Sequence, residues 1–321
     1  YIEIDDPEYL ENHIQNEELD YILVRKKSLG NIPIDDWEPP AYCFTRRFKN
    51  FESVLNDFEV KQDDVWVATY PKSGTTWCQE MVWLICNGLD YDGAKTTHLR
   101  KRFPFLDISL IHDLEDGRVS FQNVESMASP RFIKTHLPVS MLPKQYWDVR
   151  PKTVHVYRNV KSVAVSYYHH SKNYFYRGTK EQFVRSFMKD LQFYSPIHSH
   201  VIGYHSLKGC DNILHLRFED MKCDLRKEVE KVCSFFGHYY SNTQLEGLCQ
   251  HLSFGSMKDN PSCNYVDEDG TNWKDKEPDE RFIRRGQVDS WKNELSAELN
   301  QELDEWTERM VKDKKHLSLF F

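Results

Sequence analysis

The stretch Asp64-Val65-Trp66-Val67-Ala68-Thr69-Tyr70-Pro71-Lys72-Ser73-Gly74-Thr75-Thr76-Trp77 decides the fold. Its first seven residues are a short apolar run of the kind that makes a strand buried on both faces, and Pro71 ends it. From Thr75 the period changes. Trp77, Met81, Leu84 and Ile85 fall at helical spacing, and Asn87-Gly88 supplies a stop. Strand, tight loop and helix in that order aim successive loop N–H groups and the positive end of the helix dipole at one point. An anion belongs there. Lys72 adds a full charge, Gly74 lets the backbone come close, and Thr75 and Thr76 add hydroxyl donors.

Outward from this unit, short runs recur at Phe132-Ile133-Lys134, Thr153-Val154-His155-Val156-Tyr157 and Ile213-Leu214-His215-Leu216-Arg217-Phe218. Helical stretches separate them. One carries Leu225, Val229, Val232 and Phe236 before Gly237, and another Leu295, Leu299, Leu303, Trp306 and Met310. This alternation predicts an α/β protein with a mostly parallel central sheet and helices on both faces, a P-loop-like three-layer fold. Residues 1–62 are polar and interrupted by Pro33, Pro39 and Pro40. They read as an irregular lead-in of turns and an extended segment, with one short helix near residues 51–58. No internal repeat or long linker divides the chain, so residues 1–321 read as one domain.

The composition, 40% hydrophobic and 29% charged, is that of a globular protein. A net charge of −8 excludes a nucleic-acid protein with a wholly basic surface but permits a local basic site. Residues 1–10 lack a basic segment followed by an apolar run, and no segment approaches the roughly eighteen apolar residues that span a bilayer. The reading is a cytoplasmic protein with no membrane partner. The eight cysteines show no C-x-x-C pair and read as reduced thiols.

Lys134 and His136 sit two apart at a strand end, so their side chains share a face. An imidazole suits the removal of a proton, and the two lysines suit the stabilisation of a charged leaving oxygen. Arg158 and Ser166 bracket the turn after the next strand, a second place where such a sheet offers an anion site. Arg284-Arg285-Gly286 is a third basic element. His169 and His170 diverge by about 100° on a helix and have no third ligand, so no metal is assigned. In the loop the lysine precedes the glycine by two positions, unlike G-x-x-x-x-G-K-[ST], which argues against a nucleoside-triphosphate kinase.

Tyr70-Pro71-Lys72-Ser73-Gly74-Thr75-Thr76-Trp77 resembles the 5′-phosphosulfate-binding loop of the cytosolic sulfotransferase family. Four further segments are similar to that family in the same order: Arg102-Phe103-Pro104-Phe105-Leu106, Lys134-Thr135-His136-Leu137-Pro138, Tyr157-Arg158-Asn159 through Ala164-Val165-Ser166-Tyr167-Tyr168, and Arg284-Arg285-Gly286 followed by Trp291-Lys292. The resemblance implies 3′-phosphoadenosine 5′-phosphosulfate (PAPS) as co-substrate, 3′-phosphoadenosine 5′-phosphate (PAP) as product, and no metal. It implies His136 as base with Lys72 and Lys134 as cations. By the same resemblance the donor is held by Lys72, Ser73, Gly74, Thr75, Thr76, Trp77, Arg158, Ser166, Phe218, Ser253, Phe254, Met257, Arg284, Arg285 and Gly286. Trp77 and Phe254 match the residues that sandwich adenine. Phe218 stands where a tyrosine is usual, and Leu252 where a threonine is usual.

The acceptor implied is a small-molecule alcohol or phenol, apolar apart from its hydroxyl, in contact with Phe103, Phe105, Lys134, His136 and Tyr167. Tyr168, Tyr174, Phe175 and Tyr176 are further candidates for its wall. The acidic residues 265–280 read as a mobile loop, which in the family folds over the bound ligands. From Lys292 to Gln301 the chain resembles the family's dimerisation motif, with Ser296-Ala297 and Gln301 in place of its usual residues, which leaves a homodimer open. Three alternatives stand beside sulfonate transfer. They are dehydration of an allylic alcohol through a transient sulfate ester, a P-loop kinase, and an inactive binding protein on the same scaffold.

Overall fold

The computed structural model describes residues 1–13, 20–26, 31–34, 38–111, 119–173, 176–264, 277 and 281–321. Among these, β1 (Ile2–Glu3), β2 (Tyr21–Val24) and β3 (Tyr42–Thr45) form an antiparallel sheet in that order. β4 (Val65–Thr69), β5 (Phe132–Thr135), β6 (Lys152–Tyr157) and β7 (Ile213–Arg217) form a second sheet in the order β5-β4-β6-β7, parallel throughout.

All five residues of β4 are buried, because helices cover both faces of the sheet. Trp66 and Ala68 pack with Ile133 on one side, and Val65 and Val67 pack with Val154 and Val156 on the other. An ion pair fixes the amino ends of β4 and β5. Arg131 donates through Nε and Nη2 to the two carboxylate oxygens of Asp64, both at 2.7 Å, and neither side chain is more than 1% exposed.

The helices follow the hydrophobic period. Thr75–Cys86 follows β4, and Leu225–Phe236 stops where Gly237 turns left-handed at φ +79°. Ser296, in the segment resembling a dimer motif, caps the helix Ala297–Met310 by accepting from the Leu299 N–H, and Gln301 donates to Glu305.

Residues 1–62 depart from the irregular lead-in expected of them. They hold β1 to β3 and two helices, Pro7–Asn12 and Phe48–Asp57. The strands are short, but Tyr42, Cys43 and Phe44 are fully buried. Cys43 N–H donates to Ser195 O and Tyr194 N–H donates to Cys43 O, so β3 finds partners far along the chain that local pattern does not reveal. Phe218, read as the end of a strand, begins the helix Phe218–Cys223.

Four parallel strands deliver their carboxyl ends to one edge of the sheet. There β4 runs into residues 70–74, β5 into His136, β6 into Arg158 and β7 into Phe218, the edge at which such sheets place ligands.

Candidate active site

The turn after β4 is built from two left-handed residues, Lys72 at φ +66° and Gly74 at φ +108°. Gly74 has a second reason to be glycine, since a Cβ there would lie 2.7 Å from Cδ2 of Phe218. The bond from Cys78 N–H to Gly74 O opens the helix at 3.1 Å. The N–H groups before it have no partner within the helix and mark its positive end. Behind the turn, Thr69 Oγ1 and Thr75 Oγ1 are 2.7 Å apart.

This turn forms part of the wall of a cavity of about 920 Å³, which Lys72, Lys134 and His136 also line. Pro104, Phe105 and Leu106 run beside the outer edge of β5. Lys134 N–H donates to Pro104 O and Leu106 N–H to Lys134 O, each at 2.9 Å. That pairing sets the Phe105 ring 3.9 Å from Lys134 Nζ and 5.0 Å from the His136 ring. Asp107 follows at once and is fully buried. It accepts from Thr135 Oγ1 at 2.8 Å, from the His136 N–H at 3.2 Å and from the Tyr194 hydroxyl. Burial pushes its carboxyl up to about 6.

His136 is oriented by its own bond. Nδ1 lies 2.7 Å from Thr69 O. A carbonyl only accepts, so Nδ1 carries the proton and Nε2 keeps the lone pair. Burial, and next the charge of Lys134, hold the imidazole well below its usual pKa, so the ring is neutral near pH 7. Burial also lowers both lysines to about 7. Lys134, Arg158 and Arg284 add repulsion at Lys72, whereas at Lys134 the attraction of Asp107 is outweighed. Lys72 Nζ rests 4.4 Å from the centroid of Phe282.

The cationic end continues through Arg158, Arg284 and Arg285, all on the cavity wall with Ser166 and Gly286. Arg158 donates to Lys72 O at 3.1 Å and to Gln287 O at 3.3 Å, and its guanidinium lies 4.1 Å from the Phe218 centroid. Burial draws it down to about 10. The helix Val160–Lys172 is capped by Asn159, whose side chain accepts from the N–H groups of Lys161 and Ser162. Its dipole end is thus satisfied internally, and Ser166 reaches the cavity from within the helix rather than from the turn. Glu294 lies 2.7 Å from Arg284, 3.2 Å from Lys180 and 2.6 Å from His169.

Trp77 and Phe254 line the same cavity and face a common space, since Lys222 Nζ lies 5.6 Å from each ring centroid. Trp77 Nε1 donates to Leu252 O at 2.8 Å. A Cβ on Gly286, at φ +59°, would fall 2.1 Å from Cδ2 of Phe254. Thr75, Thr76, Phe218 and Met257 also face the cavity. Ser73 and Ser253 do not: Ser73 is buried, and Ser253 caps the helix Phe254–Asp259 by accepting from Ser256 N–H.

At the opposite end Phe103, Phe105 and Tyr167 line the cavity with Ile108, Ile111, Phe193 and Tyr194. Phe103 is mainly core, its ring tilted against Phe132 at 5.5 Å, and the Tyr167 hydroxyl donates to Phe193 O. Tyr168 and Tyr176 pack on Phe183 instead. Tyr174, Phe175 and, except for Glu277, the acidic residues 265–280 lie outside the described residues. Lys222, Phe193 and Tyr194 on the cavity wall, and Asp107 and Glu294 bonded to His136 and Arg284 of that wall, were not picked out in the sequence. Of these only Asp107 carried a signal, as an acid directly following a matched segment.

A buried aromatic slot, a cluster of cations and a neutral histidine beside two lysines suit transfer of a charged group from a nucleotide. The chain belongs to the sulfotransferase family, whose sulfotransferase-domain profile matches residues 62–315. It is 35% identical over 281 residues to luciferin sulfotransferase of Photinus pyralis, covering 82% of this chain and 76% of that protein. To sulfotransferase 1 family member D1 of Rattus norvegicus it is 36% identical over 259 residues, 79% of this chain and 85% of that one. Among solved structures it resembles retinol dehydratase in complex with retinol and PAP, with a TM-score of 0.80, 27% identity and coverage of 91% and 97%. The protein is thus a transferase enzyme of this family. No helix among the described residues is long and apolar enough to cross a membrane.

Proposed function

We propose that this chain transfers the sulfonate group of PAPS to the hydroxyl of a small, largely apolar acceptor, with His136 as base. The observation that carries the reading is the bond from His136 Nδ1 to Thr69 O, which leaves a neutral imidazole with its Nε2 lone pair on a residue lining the cavity. The aromatic space between Trp77 and Phe254 fits a flat base, and Arg158, Arg284, Arg285 and Ser166 fit a phosphate. PAPS supplies the sulfonate. As the acceptor oxygen bonds to sulfur, its proton passes to His136 Nε2 and the bond from sulfur to the phosphate oxygen breaks. Lys72 and Lys134 meet the charge left on that oxygen. The apolar wall of Phe105, Phe193 and Tyr194 supports an aromatic or alicyclic acceptor.

His136→Ala tests the assignment. Turnover of PAPS with a phenol and sterol panel is expected to fall by about 10²–10⁴, while PAP binding stays within a few-fold. Full activity in this variant would remove His136 as the base.

The likeness to retinol dehydratase favours a second reading, in which the same transfer to an allylic alcohol is followed by loss of sulfate and hence net loss of water. Product mass separates the two: a stable ester keeps the sulfonate, whereas the dehydrated product is lighter than the alcohol.

A further inference from the structure

We infer that His155, His205 and His215 form a binding site for a divalent transition-metal ion of the zinc, copper or nickel class. The parallel register of β6 and β7 sets His155 directly opposite His215. Both project to the side away from Val154, Val156 and Leu216, which pack in the other layer. The helix Ile197–His205 ends over this face, and the ring of its last residue, His205, stacks on His215 at 4.0 Å. One nitrogen from each of the three rings lies within 4.8 Å of the others.

The chemistry suits a metal. Imidazole is a common ligand of these ions. Ligands at about 2.0–2.1 Å in a tetrahedral site are about 3.3 Å apart, and the Nδ1 atoms of His155 and His215 are 3.2 Å apart. The cluster also holds nitrogens the fold does not use. Nε2 of His205 is buried without a hydrogen-bond partner, and Nδ1 of His155 and of His215 have only each other. His205 and His215 are only half-buried, which gives an ion a path in from solvent. Three imidazoles leave a fourth position for water. None of the three lines the donor cavity, so PAP binding reports independently on folding.

The test titrates EDTA-stripped full-length protein with zinc against a chromogenic chelator. One equivalent is expected to bind to the wild type and to His238→Gln, and to bind at least tenfold more weakly in His205→Gln and in His215→Phe, both still binding PAP. Absence of zinc binding by the wild type, or unchanged binding in both variants, overturns the site. Should either variant fail to bind PAP, pulsed EPR of the copper(II)-loaded wild type decides without mutation. Two or three coordinated imidazoles support the site, and none or one overturns it.

Discussion

Binding of PAP to the cavity should draw protons from solution. Burial lowers Lys72 and Lys134 to about 7 there, so at about pH 8.5 both are mostly uncharged. A phosphate or sulfonate oxygen beside them favours the ammonium and returns each toward its ordinary value of about 10.4. Binding then takes up nearly one proton per lysine, or about two in all. The sign follows: affinity is fully developed below about pH 7 and weakens as pH rises, by up to about tenfold per pH unit for each lysine. Phosphate groups, with a second pKa of about 6, are already ionised over this range and do not mask the effect. Isothermal titration at pH 8.5 in buffers of different ionisation heat gives the uptake as a slope, and Lys72→Met should reduce that slope by about one proton. A binding heat independent of buffer would refute the reasoning, since it would mean that both lysines are charged before the anion arrives.

Two further outcomes follow from geometry. Gly286→Ala puts a side chain on a left-handed residue, at about 1–2 kcal/mol, and drives a Cβ into Phe254. PAP affinity is expected to fall at least about tenfold by titration, and an unchanged value would show that the Phe254 ring is not a fixed wall. Asp64→Ala leaves Arg131 charged and unpaired in the interior. Urea unfolding should then show a loss of about 3–5 kcal/mol, and a loss below about 1 kcal/mol would mean that the β4–β5 clamp is dispensable.

How much of this was legible before the structure depends on the range of the interaction involved. The strand, loop and helix around Lys72 are written locally, and so is the pair Lys134 and His136, because alternation along a strand fixes which residues share a face. The arginines of the cavity wall were legible only as separate clusters, and their meeting depends on strand order. At Ser253 a helix N-cap and a ligand donor are the same residue type in sequence, and the structure shows the cap, with the side chain accepting from Ser256 N–H. Glu294 and Lys222 gave no signal, since each acts through residues distant in the chain. β3 went unread for the same reason: four residues among charged neighbours become a strand by pairing with β2 about twenty residues earlier, and Cys43 is tied further to Tyr194 and Ser195. The histidine cluster was equally hidden, because opposition of His155 to His215 is a matter of register.

The cavity is made in two ways, and its two ends are free to change to different degrees. Its cationic end hangs on the tips of parallel strands and on Arg158, whose planar fork reaches two carbonyl groups and a ring face at once. A lysine there would conserve the charge and lose that fit. Its apolar end is papered by Ile108, Ile111 and Phe193, which lie outside the sheet. Exchanges among those side chains can reshape the guest they admit without loosening a single strand, so descendants of this scaffold can acquire new tastes while inheriting one grip.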